Sequence, residues 1–580
     1  MSVGASLKFQ ENSRLSGPID LTNGSVGADL EFSNCRIGRQ PGFVVDCDAV
    51  SIGRNLQISN VVCVGGFSFR SARIEREFLC FDAEISKWPE AIGASTPFVT
   101  EPHSALNCED LYVGHRVQIG GGTPFERVEA VGEVSFRNAR IGGDFECHGA
   151  RLNNRSKDGI WSGLNASGIK VGGSFLLRAT LIFGSLKVDG ARILAQLRLG
   201  RVFIRNGEFV ALDVARAHVS GDVDITTCEV RGDVDYSSCV IDGRFSWSFL
   251  DVLGSGRPGH VPTFDLSDIR VGASLVADML NNRRHESLQI RLTGARVHRL
   301  QDNGTGWGRD TVLDLVDFSY TTLGGVASVP SQVAAGSGST ADWRRSVRRW
   351  LTACQGPLRP GRWPETRPRR SMLEGAARRC RARNLRMART QRDEITSRRL
   401  RWLRRQDRMT EAKFNPQPYR QLARVLRLQG SEDAARVIAI EAYWRAAPHG
   451  WLRRAAHAAF GCGFGFGLSI RLATATLLAT LIFGVLFTEV ASRSAMLIDS
   501  AAQAAGAVPA HRCSRISLLY AADMMLPVIQ LHQDTLCVVA TRPRVTSAVW
   551  QIVFSAYRFF GKIVASLAFL TFSGVLRRVD

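Results

Sequence analysis

Three consecutive stretches, GDVDITTCEVR, GDVDYSSCVID and GRFSWSFLDVL, begin at Gly221, Gly232 and Gly243, eleven residues apart. Each puts apolar side chains at offsets two, four, seven and nine: Val223, Ile225, Cys228 and Val230, then Val234, Tyr236, Cys239 and Ile241, then Phe245, Trp247, Leu250 and Val252. Offsets two and four alternate as a strand does, and so do seven and nine. The extra residue between the pairs shifts the phase, so each unit reads as two very short strands joined at a corner. The template recurs after Gly132, Gly143 and Gly184, and a longer phrase echoes from Val45, Leu106, Leu164 and Phe264.

Units this short cannot bury an apolar face alone and must stack on one another. A helical solenoid needs a 3.6-residue period, which is absent here. The pattern predicts an all-β, right-handed parallel β-solenoid over residues 1–327, with pentapeptide-like repeats as the nearest relative. If one coil takes two units, about fourteen coils stack at the usual strand spacing into a rod on the order of 65 Å long. The cysteines of this region, such as Cys35, Cys47, Cys63, Cys147, Cys228 and Cys239, occupy mostly inward positions and read as small core residues.

Formal net charge is +21, and nearly all of the excess lies in residues 342–454, which hold thirty Arg or Lys against ten Asp or Glu. The N-terminus lacks a basic stretch followed by an apolar run, so no secretory signal is read and the solenoid is expected in the cytoplasm. The apolar run LATATLLATLIFGVLFTEV over 472–490 is long enough to cross a bilayer core, and a second candidate covers 559–576. Arg453, Arg454 and Arg471 precede the first and Arg577 and Arg578 follow the second. The positive-inside rule then predicts a multi-pass protein of the inner membrane with both termini cytoplasmic and a loop over 492–545 outside. Cys513 and Cys537 in that loop are candidates for a disulfide. The short apolar stretch 516–531, interrupted by Pro527, reads as re-entrant or interfacial.

Between these regions, 328–410 reads as a linker followed by an Arg-rich helical segment. Arg401, Trp402, Arg404 and Arg405 are candidates for lying on anionic headgroups, with Trp402 and Leu403 dipping in. Nucleic-acid binding is the weaker alternative. Residues 411–447 read as a helical hairpin similar to one tetratricopeptide unit, with Gly430 ending the first helix and Ser431 opening the second. The membrane domain is 448–580.

Three phrases carry a resemblance: RIGGDFECHGARL with GLNASGIKVGGSFLLR (Arg140 to Arg178), PQPYRQLARVL (Pro416 to Leu426), and LLYAADMMLPVIQL before a span ending GVLRR. Together they resemble a bacterial family, common in actinomycetes, labelled membrane-associated oxidoreductase. The resemblance implies a cytoplasmic repeat domain, a helical hairpin and a two-helix membrane anchor, and the label implies redox chemistry. The residues themselves contain no C-x-x-C, H-E-x-x-H or phosphate-binding GK[ST] loop, so no catalytic, cofactor or metal site is read from them.

At offset eight stand Arg36, Arg73, Arg140, Arg151, Arg192 and Arg296, a candidate anion-binding ladder; Glu84, Glu229 and Asp251 take the same offset elsewhere. The sequence therefore predicts a membrane protein presenting a solenoid as a binding or scaffold module. Its expected partners are membrane lipids and a cytoplasmic protein or anionic molecule, with a homo-oligomer as a further expectation. A membrane-associated oxidoreductase and an oligomeric pore are the alternatives.

Overall fold

The computed structural model describes residues 1–10, 14–38, 43–87, 104–121, 127–154, 161–254, 260–278, 280–281, 287–302, 307, 311–324, 393–408, 414–494, 497–500, 517–526, 537–539 and 544–574. Contacts divide the chain into two units, one of 1–328 with 397–430 and one of 329–396 with 431–580.

The first unit is a parallel β-solenoid. One column of inward residues runs Leu7, Leu30, Leu56, Phe78, Val117, Phe145, Phe175, Leu197, Val223, Phe245, Leu275, Leu300 and Leu323, each in register with the next. These are thirteen levels, against the fourteen coils expected. Where no insertion intervenes, as from Leu56 to Phe78, Phe175 to Leu197 and Val223 to Phe245, the step is two eleven-residue units. One coil thus takes two units and has four short faces. From Val45 these are Val45–Asp46, Ser51–Ile52 and the two halves of Leu56–Val64.

The corner expected inside each unit is real and falls at offset six. Thr227, Ser238 and Phe249 have φ of 57°, 57° and 53°, and Asn34, Asn60 and Asp82 take the same left-handed conformation in earlier coils. One left-handed residue reverses the side-chain alternation, which is why the apolar phase slips between offsets four and seven. All twelve apolar side chains of the three units from Gly221 are buried. Aromatic rings line the interior from Phe9 and Phe32 through Phe67, Phe69, Phe78, Phe136 and Phe145 to Phe175. Cys35, Cys47, Cys63, Cys80, Cys108, Cys147, Cys228 and Cys239 are buried free thiols, as small core residues should be.

The C-terminal end of this stack is closed by helices rather than left as an open edge. Helix α1 (Asp393–Leu403) buries Leu400, Trp402 and Leu403, with Trp402 packed 5.8 Å from Trp307 and 6.3 Å from Phe318, ring centre to ring centre. Helix α2 (Gln417–Leu428) buries Tyr419 and Leu422 and lies on the last strand, Ser319–Gly324. Gln417 and Gln421 on α2, and Gln429 just beyond it, donate from their amides to the carbonyls of Phe318, Tyr320 and Leu323, at 3.2, 2.6 and 3.0 Å. A sheet edge presents unpaired carbonyls, and three glutamines satisfy them here.

Gly430 (φ 76°) ends α2 and with it the first unit; in the second unit Ser431 occupies the N-cap position of α3 (Glu432–Arg445), as the sequence predicts. Helix α4 (Trp451–Phe464) follows. The glycine-rich GCGFGFG stretch, Gly461 to Gly467, forms a packed turn. Phe466 sits there at φ 58°, its ring 5.1 Å from Trp444 and 4.7 Å from His457. Helices α5 (Ile470–Arg493), α6 (Ser517–Met525) and α7 (Arg544–Phe572) form a bundle. Tyr557 donates to the carbonyls of Thr480 (3.3 Å) and Ala521 (3.5 Å), tying all three helices together. A side chain at Gly484 would collide with the Tyr557 ring, so the close approach of α5 and α7 requires glycine there. A two-stranded antiparallel ribbon, Leu497–Asp499 with Cys537–Val539, follows α5; the sequence reading missed it.

Helix α7 starts fifteen residues before the expected second span, and its apolar stretch is Ala548–Phe572; the first is Ile470–Arg493. Both are long and apolar enough to cross a membrane. Residues 328–392 of the expected linker and Arg-rich segment, and Cys513, lie outside the described residues. Of the stretch 516–531, residues 517–525 form α6, which at nine residues is too short to span.

Candidate functional site

Where each offset-eight residue lands follows from the two units per coil. Alternate units put offset eight on two different faces of the solenoid. Arg36 lies between Arg14 and Val62, and Arg151 lies between Glu129 and Leu181. Glu84, in register with Val62 and Glu129, belongs to this column, and so do Glu229 and Asp251. Charge here is mixed, and Arg151 reaches Glu129 at 3.8 Å. Arg36 and Arg151 therefore do not belong to the ladder that the sequence placed them in.

Arg73, Arg140, Arg192 and Arg296 share the other face. Their column reads Arg73, Tyr112, Arg140, Lys170, Arg192, His218, Val240, Arg270 and Arg296 on successive levels. Sequence reasoning missed Lys170, His218 and Arg270, because a lysine and a histidine break the arginine motif and the coil length varies. No acid stands in this column. Arg73 pairs with Glu75 (2.5 Å) and lies 4.3 Å over the Tyr112 ring, and His218 reaches Asp242 (3.3 Å). Arg140, Lys170, Arg192, Arg270 and Arg296 are exposed and form no ion pair among the described residues.

Adjacent strands stand about 4.8 Å apart, so Arg140, Lys170 and Arg192 stack three like charges at that spacing. Like charges directly opposite destabilise a sheet, and among the described residues no ion pair offsets them. Two residues beyond Arg140 and Lys170 stand Gly142 and Gly172, where a side chain would collide with backbone of the neighbouring coil, while Leu194, 57% exposed, holds that position after Arg192. Beside Arg140 and Lys170 these glycines leave no side chain at that position.

No protein-family model, curated protein or solved structure matches this chain. The site is therefore read from its own geometry.

The membrane-surface candidates divide differently from the expectation. Trp402 and Leu403 do not face lipid: they are 5% and 0% exposed, in the core that closes the solenoid. Their burial follows from the apolar pocket offered by Trp307 and Phe318. Arg405 donates to the Trp307 carbonyl at 3.1 Å, and Arg401 is exposed with Arg404 half-buried. An Arg-rich sequence with tryptophan looks interfacial, but its apolar residues already have an occupant.

Around α5 and α7 the pattern is the reverse. Phe483, Leu486, Ile552 and Phe569 are 59%, 62%, 69% and 71% exposed. Only 17% and 28% of the two apolar stretches are buried, far less than a core helix of a soluble protein requires. Cys537 is disulfide-bonded, as is Cys462 in α4; Cys513, the partner expected for Cys537, lies outside the described residues. Among the described residues no group of three His, Cys, Asp or Glu is arranged to hold a metal ion.

Proposed function

We propose that this protein is a non-catalytic membrane scaffold: α5 and α7 anchor it in the inner membrane, and the solenoid presents a rigid basic face to an anionic partner in the cytoplasm. The observation that carries the reading is the uncompensated register of Arg140, Lys170 and Arg192 on successive coils of a filled, close-packed stack. A rigid column of unpaired cations is poorly suited to folding alone and well suited to meeting an acidic or phosphorylated surface, with guanidinium forks that match carboxylate and phosphate. The exposed apolar faces of α5 and α7 support the anchor, since water solvates such faces poorly.

Full-length protein should stay in the pellet when membranes are washed at high pH, which strips peripheral proteins; release would end the anchoring reading. A photoreactive residue at Lys170 should capture a partner in native membranes. That adduct should vanish in Arg140→Glu/Arg192→Glu while the solenoid keeps its protease resistance. Adducts that survive both charge reversals would remove the column from the reading.

Orientation is tested separately. In the proposed orientation Cys462 lies on the cytoplasmic side, where its disulfide would run against the reducing chemistry of that compartment. After mild reduction, an impermeant maleimide should label Cys537 in intact cells and Cys462 only after permeabilisation. The opposite pattern would invert the proposed topology.

A further inference from the structure

A second site lies on a different face of the solenoid. His148, Arg178, Gly200 and Thr226 are in register on four successive coils, and beside them Leu176, Arg198 and Asp224 form the neighbouring column. Gly200 is the gap in this pattern. A side chain built there would meet nothing nearer than the Leu177 carbonyl at 4.0 Å. A notch of about 760 Å³ lies over Gly200, lined by His148, Leu176, Arg178, Arg198, Arg201 and Thr226 and by one carboxylate, Asp224.

Three guanidiniums surround Gly200. Arg178 stands one coil below, Arg198 two residues back on the same coil, and Arg201 at the following corner, held outward by a left-handed φ of 56°. Arg178 and Arg201 form no ion pair among the described residues. Arg198 reaches Asp224 at 3.5 Å, but that carboxylate is shared with Arg244, also at 3.5 Å. The His148 Nε2 atom is cut off from solvent and has no hydrogen-bond partner. A buried polar atom left unpaired carries a desolvation cost, which rotation of the ring toward an anion bound in the notch would relieve.

We propose that this notch binds a phosphoryl group. Guanidinium forks bind phosphate oxygens in pairs, and the Thr226 hydroxyl and the His148 ring supply further donors. Leu176 gives the notch an apolar wall, against which the organic part of a phosphate ester would rest. Free phosphate and an organic phosphate share the recognised group and differ only in their use of that wall. The proposal deepens the reading of the solenoid as a binding module, yet its test does not depend on the membrane: a chain that binds phosphate but washes off membranes would end the anchoring reading alone.

Full-length protein in detergent is titrated calorimetrically with inorganic phosphate and with phenyl phosphate, using phenol as the control. Saturable single-site binding of a phosphate, with none of phenol, is expected. Tighter binding of phenyl phosphate assigns the notch to an organic ester, and equal affinity assigns it to free phosphate. Gly200→Val fills the notch where the backbone has room for a side chain, and Arg178→Gln removes an exposed charge; each should weaken binding by about tenfold or more. Absence of saturable phosphate binding, or unchanged affinity in both variants, overturns the proposal.

Discussion

Arg399 donates to Asp302 across 2.6 Å, although the two stand 97 positions apart in the chain. Their side chains are only 7% and 6% exposed, and the same Asp302 oxygen accepts from the Trp307 indole at 2.8 Å. This buried pair pins α1 to the last coils of the solenoid.

Removing one partner of that pair strands the other charge in the interior. Arg399→Met or Asp302→Asn should each cost about 3–5 kcal/mol, read as a lower denaturation midpoint and as protease cleavage near α1. Arg399→Met combined with Asp302→Leu should recover much of the loss, because no uncompensated charge remains. Two mild single variants would mean that the pair is solvated.

Tyr236 occupies a core position that Ile225 and Trp247 fill in the neighbouring units, and its hydroxyl is buried without a hydrogen-bond partner. An unsatisfied buried hydroxyl costs about 1–3 kcal/mol. Tyr236→Phe should therefore stabilise the solenoid by about 1 kcal/mol in chemical denaturation, and a destabilised variant would show that the hydroxyl has an undetected partner.

Phe249 takes the left-handed corner at φ 53° while 51% exposed, so its bulk contributes little packing. Asn34 and Asn60 fill equivalent corners and bond to each other at 2.6 Å. The left-handed conformation costs an ordinary residue about 1–2 kcal/mol, and asparagine tolerates it better. Phe249→Asn should raise the thermal midpoint; a fall would mean that the packing of the ring outweighs the backbone strain.

Burial pushes the thiols of Cys80, Cys147 and Cys239 up to about 12. An unfolded thiol titrates near ~8.5. The folded state holds its protons more tightly, so the contribution of these thiols is complete below the unfolded value and is lost as pH climbs toward the folded one. The slope is about 1.4 kcal/mol per pH unit for each fully buried thiol. The urea midpoint should drop between pH 8 and 10, less steeply in Cys147→Ala, and native protein should resist alkylation over that range. A flat midpoint would contradict the burial.

The eleven-residue period, the four apolar offsets and the two long apolar runs were legible in the residues themselves. Stacking strands and membrane-length helices are built from local, repeated preferences that add along the chain, and the slip between offsets four and seven already marked a corner, though not its left-handed backbone. Which arginines share a face was not legible, because it depends on how many units close a coil and on each insertion between them. One offset therefore divided into a mixed column with Arg36 and Arg151 and a basic one completed by Lys170, His218 and Arg270. Nor could the chain alone show that Trp402 is interior, that Gln417, Gln421 and Gln429 cap a sheet edge, or that Gly200 opens a notch among three guanidiniums. Each of those properties belongs to neighbours brought together from another coil or from about a hundred residues away, and only the folded arrangement decides who those neighbours are.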